Sequence, residues 1–247
     1  MTPVEQDLPG VHLRWLALDE QSIDAERLLP LLTDVERERY RRTVSATVAE
    51  RFVFGRVLLR MLAGEVTGRH PSEILVSARC AVCDGPHGRP RVEGAGEVFS
   101  VSIAHCAGAV VVAASTAGTV GVDIEPAVGS AARDARITQV AGLPFSTGGI
   151  RPADSVLHWT RVEAALKADG RGLALDPRQV RVHELRLTAE ARIDDVRFRL
   201  AEPHIDPAFR VSVALGPADA GVAGPIIGWR REDGDALVDS LASAGAR

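Results

Sequence analysis

Two short stretches carry carboxylates and a lysine at spacings that could support chemistry. In GVDIE, Gly121–Glu125, strand alternation sends Val122 and Ile124 to one face and Asp123 and Glu125 to the other. Two carboxylates on one face repel unless they are solvated, protonated or bridged by a cation. Hard oxygen ligands of this kind suit magnesium, which commonly takes one or two carboxylates plus substrate phosphates. The competing reading is a strand with its polar face in water. In WTRVEAALKADGRGL, Trp159–Leu173, helical text places Glu163 and Lys167 four residues apart on one face, just before a glycine. That pair reads either as a surface ion pair worth about 0.3–0.5 kcal/mol or as half of a site looking into a cleft. Ala164, Ala165, Leu166 and Ala168 surround it, which argues for a well-packed helix.

Further candidates lie upstream. Arg39, Arg41, Arg42 and Arg51, with Arg37 nearby, form a basic group that is either solvated or able to grip phosphates bidentately. His105 follows an apolar strand at its end, where it is either structural or a donor to phosphate. Cys80, Cys83 and His87 invite a zinc reading, but a closed structural zinc site needs four ligands. Cys106 lacks a supporting spacing, so a plain turn is the preferred reading of CAVCDGPHGRP. No P-loop occurs, no G-x-G-x-x-G follows a strand, and there is no G-x-S-x-G elbow.

The elements that must position these groups follow from periodicity and turn chemistry. Strands are expected at Val11–Leu18, Ile74–Ala78, Phe99–Ala104, Ala109–Ser115, Val120–Glu125, Gln179–Leu187, Asp195–Leu200 and Phe209–Leu215. Helices are expected over Glu36–Arg42 with Thr33 or Asp34 as cap, over Ala46–Leu62 and Trp159–Asp169, and at the tail over Asp233–Ser243. Residues 127–151 read as a loose connector with a partial helix. FSVSIA at Phe99–Ala104 echoes FRVSVA at Phe209–Ala214, either by chance in β-type text or because an α+β unit is duplicated.

The whole chain sets broad limits. Its 247 residues suit two halves around a shared core, and 46% hydrophobic with 25% charged residues is ordinary globular usage. A net charge of -4 does not favour a nucleic-acid partner. No run approaches the roughly 20 apolar residues of a membrane span, and MTPVEQDLPG does not read as a secretory signal. Three cysteines, an odd number, argue against a disulfide framework. A cytoplasmic protein without membrane or nucleic-acid partners is expected.

The ordered motifs are more specific together than singly. GVDIE followed about thirty residues later by WTRVEAALKADGRGL resembles the 4′-phosphopantetheinyl transferases, in the larger two-half type named after the surfactin-synthesis enzyme. ERERYRR…ERFVFGRVLLRML resembles that family's early basic helices, GRP at Gly88–Pro90 its G-K-P, and SIAHC at Ser102–Cys106 its S-H-S segment. The resemblance covers about Thr33 to Leu173. It implies an α+β fold of two similar halves related by a pseudo-twofold axis, here residues 1–118 and 119–247, with the active site between them. It implies a transferase, expected as a monomer, that moves 4′-phosphopantetheine from coenzyme A to a serine of an acyl or peptidyl carrier protein, releasing 3′,5′-adenosine bisphosphate. Such carriers serve polyketide, nonribosomal peptide or fatty-acid biosynthesis.

By resemblance, Asp123, Glu125 and Glu163 hold Mg²⁺, or alternatively Mn²⁺, against the coenzyme A pyrophosphate. Glu163 is also the base for the carrier serine, directly or through water. Lys167 stabilises charge on the transferring phosphate, and Asp123 belongs with the coenzyme A contacts. His105 and Arg89 bind phosphates, as do Arg39 and Arg51, one or both near the 3′-phosphate. The sequence departs from the family at Val162, where lysine is frequent, at Arg89, which replaces a lysine, and at Ala104 and Cys106, where serines are common. Residues 127–151 lack a clear match to the carrier-facing helix. A non-catalytic coenzyme A- or carrier-binding relative with a regulatory role is the alternative, and a metal-dependent pyrophosphate hydrolase is a third reading.

Overall fold

The computed structural model describes residues 11–18, 24–80, 83–96, 99–141, 154–184, 189–217, 227–232, 234, 237 and 238. The first strand, β1 (Val11–Ala17), is buried on both faces: Val11, Leu13, Trp15 and Ala17 enter one core and Leu16 another. Its buried Arg14 is neutralised by Glu65 and Glu232, as a desolvated guanidinium requires. Helix α1 (Asp34–Arg42) begins at Thr33, whose hydroxyl accepts from the Glu36 amide while the Glu36 carboxylate accepts from the Thr33 amide. The same carboxylate pairs with Arg56 and Arg60 of helix α2 (Ala46–Thr67), so one buried acid caps α1 and fastens it to α2.

Helix α2 runs five residues beyond the expected Leu62 and stops at Gly68, left-handed at φ 69°. Val53, Val57 and Leu58 are buried as expected, whereas Phe52 and Met61 are only partly buried. A two-residue ribbon, β2 (Val76–Ser77) with β3 (Arg91–Val92), stands where a longer strand over Ile74–Ala78 was expected. The long strands follow: β4 (Ser100–His105), β5 (Ala109–Ser115) and β6 (Thr119–Pro126). Helix α3 (Ala131–Val140) fills part of the expected connector, and residues 142–151 of that stretch lie outside the described residues. Helix α4 (Ser155–Asp169) starts four residues before the expected Trp159, because Asp154 accepts from the Leu157 amide as N-cap.

The remaining strands are β7 (Arg181–Glu184), β8 (Ala189–Ile193), β9 (Val196–Ala201), β10 (Phe209–Gly216) and β11 (Gly228–Arg231). Residues 185–187 of the strand expected over Gln179–Leu187 lie outside the described residues, as does most of the expected tail helix. Leu237 and Val238 of that tail are buried in the first core.

Two principal sheets result, ordered β11-β1-β5-β4 and β6-β10-β9-β8-β7. They pack face to face through Trp15, Val111 and Ala113 on one side and Val122, Ile124, Val211 and Val213 on the other. Helix α2 covers the outer face of the first sheet and α4 that of the second, which makes a mixed α+β arrangement in four layers. Both sheets repeat one antiparallel order, β1-β5-β4 and β6-β10-β9. The FSVSIA and FRVSVA echo does not coincide with this repeat, since β4 corresponds to β9 and β10 to β5. The two stretches are alike because both are β-type text for strands buried largely on both faces.

β6 lies beside β4 at the seam between the sheets, held by side chains rather than by a backbone ladder. The Val120 and Val122 amides donate to the Ser100 and Ser102 hydroxyls at 2.9 and 3.1 Å. β11 returns from the far end of the chain to pair in parallel with β1, so the first sheet draws on both expected halves.

Candidate active site

The site is built where β6 meets α4. Gly121 opens GVDIE because the helix backbone lies against it: a Cβ there would stand 2.0 Å from the Ala164 carbonyl oxygen and 2.5 Å from the Ala168 nitrogen. That close approach brings the two motifs together. Val122 and Ile124 point into the core between the sheets, while Asp123 faces α4. The Lys167 ammonium donates to Asp123 Oδ1 at 2.7 Å and to the Val122 carbonyl at 3.1 Å. Next to Asp123, on β10, Ser212 bonds Thr160 of α4 at 2.8 Å and locks the helix to the sheet.

The charges here are poorly hydrated. Asp123 is only 7% exposed, and its Oδ2 is buried with no hydrogen-bond partner. Burial raises its carboxyl above the usual carboxylate range despite the opposing pull of Lys167. Glu125 and Glu163 are half-buried and also raised, first by desolvation and then, against the cations, by repulsion from the neighbouring carboxylates. The Arg133 guanidinium of α3 lies 3.7 Å from Glu125 and donates to the Pro126 carbonyl. Sequence reasoning missed Arg133, although it is the first cation after the GVDIEP run and follows a Ser130 cap.

Asp123, Glu125 and Glu163 do not converge to a common chelating distance: among the described residues, the only His, Cys or carboxylate trio within 4.8 Å is Cys80, Cys83 and His87. Mutual repulsion opposes closer approach of three carboxylates, and Lys167 lies against Asp123 instead. Their chemistry nevertheless fits a hard divalent cation. The donors are all oxygens, one buried oxygen lacks a partner, and all three groups gain from a neighbouring positive charge.

The first sheet and its helices supply cations. His105 ends β4 with its ring exposed, just beyond the buried Ala104. Partial desolvation lowers its basicity, and so do the fields of Lys167, Arg51 and Arg39, so His105 lies among charges from α1, α2 and α4. Arg51 donates to the Ala107 carbonyl at 3.3 Å, and its Nε is buried without a partner. Arg39 lies over the Phe52 ring at 4.4 Å and donates to the Pro86 carbonyl. Arg37 turns away and bonds the Leu29 and Leu32 carbonyls.

Arg89 was expected on a phosphate. Its guanidinium instead reaches into the seam, donating to the Ser100 hydroxyl at 2.7 Å and to the Val120 and Ala168 carbonyls at 3.3 Å each. Those acceptors belong to β4, β6 and the end of α4, so Arg89 ties three elements together. Val162 is fully buried in the core under α4, which explains an apolar residue there. Ala104 and Cys106 are buried between the sheets, away from Cys80 and Cys83.

No protein-family model matches this chain, and no curated protein matches it. No helix among the described residues is long and apolar enough to cross a membrane.

Proposed function

We propose that the chain is a 4′-phosphopantetheinyl transferase of the larger two-half type, acting between coenzyme A and the serine of a carrier protein. The observation that carries this reading is the meeting of GVDIE and the WTRVEAALK helix, with Lys167 on Asp123 at 2.7 Å and the cations of the other half around His105. Phosphoryl-type transfer calls for positioning and charge neutralisation more than for covalent help. A surface with three carboxylates on one side and Lys167, Arg51 and Arg39 on the other, with the His105 ring as a neutral hydrogen-bond donor, suits a pyrophosphate that needs both a divalent cation and direct polar contacts.

Asp123, Glu125 and Glu163 would hold Mg²⁺, which when bound neutralises pyrophosphate charge and stabilises the leaving group. Lys167 is close enough to Asp123 to serve the same phosphate. Arg39, Arg51 and His105 would grip the remaining phosphates. In the reaction the serine oxygen bonds to the phosphorus that bears pantetheine, and the bond from that phosphorus to the bridging oxygen breaks. Adenosine 3′,5′-bisphosphate leaves. Glu163 takes the serine proton, directly or through water. General base catalysis of this kind contributes about 10²–10⁴-fold.

The separated carboxylates and the structural engagement of Arg89 favour one second reading, a non-catalytic relative that binds coenzyme A or a carrier. Release of adenosine bisphosphate from coenzyme A, followed chromatographically with and without apo carrier protein, separates these. Strict dependence on the acceptor supports transfer. Coenzyme A binding without release supports the non-catalytic reading, and release without acceptor indicates hydrolysis.

A further inference from the structure

We propose that Cys80, Cys83 and His87 form a binding site for a thiophilic divalent cation, zinc by the chemistry of its donors, with solvent as the fourth ligand. The three donor atoms lie within 4.8 Å of one another, and Cys83 Sγ is 2.9 Å from His87 Nε2. Tetrahedral zinc with Zn–S and Zn–N bonds of about 2.3 and 2.0–2.1 Å sets its ligands about 3.6–3.8 Å apart. Small side-chain rotations therefore suffice. Two thiolates and a neutral imidazole balance the double charge of the ion, and binding releases the two thiol protons to solvent. Three protein ligands and an open position also match a set in which Cys106 is buried elsewhere.

The loop backbone is shaped for this grouping. The Cys80 and His87 amides both donate to the Gly85 carbonyl at 2.9 Å, and the Asp84 amide donates to the Cys80 carbonyl at 3.0 Å. Asp84 takes the left-handed conformation at φ 56°, which turns the chain so that Cys83 faces His87. A Cβ on Gly85 would stand 3.1–3.3 Å from the His87 ring and Cys83 Sγ, so glycine leaves the space between the ligands open. Gly88 closes the loop, its amide on the Ala78 carbonyl at 2.7 Å, where a Cβ would strike the Arg79 oxygen at 2.0 Å.

The loop also touches the cations of the proposed active site. Pro86 offers its carbonyl to Arg39, and Gly88 leads directly into Arg89. Metal binding would therefore stiffen the segment that sets both side chains.

The test is metal content of the full chain, purified under reducing conditions, incubated with Zn²⁺ or Co²⁺ and freed of excess metal. About one equivalent of zinc per chain is expected, falling at least tenfold in Cys83→Ser and His87→Ala. The cobalt form of the unaltered protein should show visible d–d bands of a tetrahedral centre and a thiolate charge-transfer band. Absence of bound zinc with Cys80 and Cys83 both reactive to a thiol reagent overturns the proposal. So does a Cys80–Cys83 disulfide that persists under reductant and metal, or zinc retained undiminished by both variants. The cobalt spectrum needs no substitution, so it remains decisive if a variant fails to fold.

Discussion

The Lys167 ammonium lies 2.7 Å from one carboxylate oxygen of Asp123, while the other oxygen of the same group is buried without a partner. One cation thus compensates half of a buried anion. Replacing Lys167 with alanine leaves Asp123 desolvated and unpaired, which should cost about 1–3 kcal/mol of stability. Denaturation in urea checks this. The loss should shrink as the solution is acidified and Asp123 takes up a proton, and an undiminished stability would contradict the pairing.

Gly121 controls whether the two motifs touch. Gly121→Ala forces a Cβ to within 2.0 Å of a helix carbonyl oxygen, so α4 must move away from β6. Overpacking of this kind costs about 1–3 kcal/mol, occasionally more, and it should separate Lys167 from Asp123 and abolish the proposed transfer. Gly228→Ala, with nothing within 4 Å of the new Cβ, is the control and should leave both properties unchanged. Equal behaviour of the two variants in thermal melts and turnover would contradict this.

Arg89 separates a structural role from a ligand-binding one. A lysine at that position keeps the charge but cannot fork between the Ser100 hydroxyl and two carbonyls. Arg89→Lys should lower stability by about 1–2 kcal/mol with coenzyme A affinity, measured by calorimetry, changed less than tenfold. Unaltered stability with collapsed affinity would instead put Arg89 on the ligand.

Asp123, Glu125 and Glu163 all sit above the usual carboxylate range. A carboxyl raised on folding holds more protons folded than unfolded between its two pKa values. Its contribution is therefore present at and below the unfolded value and is lost as pH rises through the raised folded value. Without Mg²⁺, stability from this trio should decline from the ordinary carboxylate range toward neutrality, and Glu125→Gln should flatten that decline. With Mg²⁺ the decline should weaken or reverse, because the ion favours the ionised groups. Urea midpoints across pH, with and without Mg²⁺, check this, and identical profiles would contradict a shared cation site.

Much of this arrangement is legible in the residues. The Thr33 and Glu36 capping box, the Ala109–Ser115 strand and the paired carboxylates of GVDIE follow from local rules. β8 escapes because its inward positions, Ala189, Ala191 and Ile193, are mostly small and carry little hydrophobic contrast. β11 escapes because GWRR is an exposed edge strand whose place depends on β1, far away in sequence. The clamp made by Arg89 and the crowding at Gly121 are tertiary facts, set by how closely a helix and two strands approach. The convergence of Cys83 with His87 depends on a left-handed residue at Asp84 that spacing alone does not reveal.

The most direct measurement is intact-mass spectrometry of an apo carrier protein after incubation with this chain, coenzyme A and Mg²⁺. Parallel samples contain chelator or the Glu163→Ala variant. The expected result is the gain of one phosphopantetheine on the carrier serine, abolished in both controls. No gain across several carriers, with coenzyme A binding intact, would contradict the assignment of a transferase.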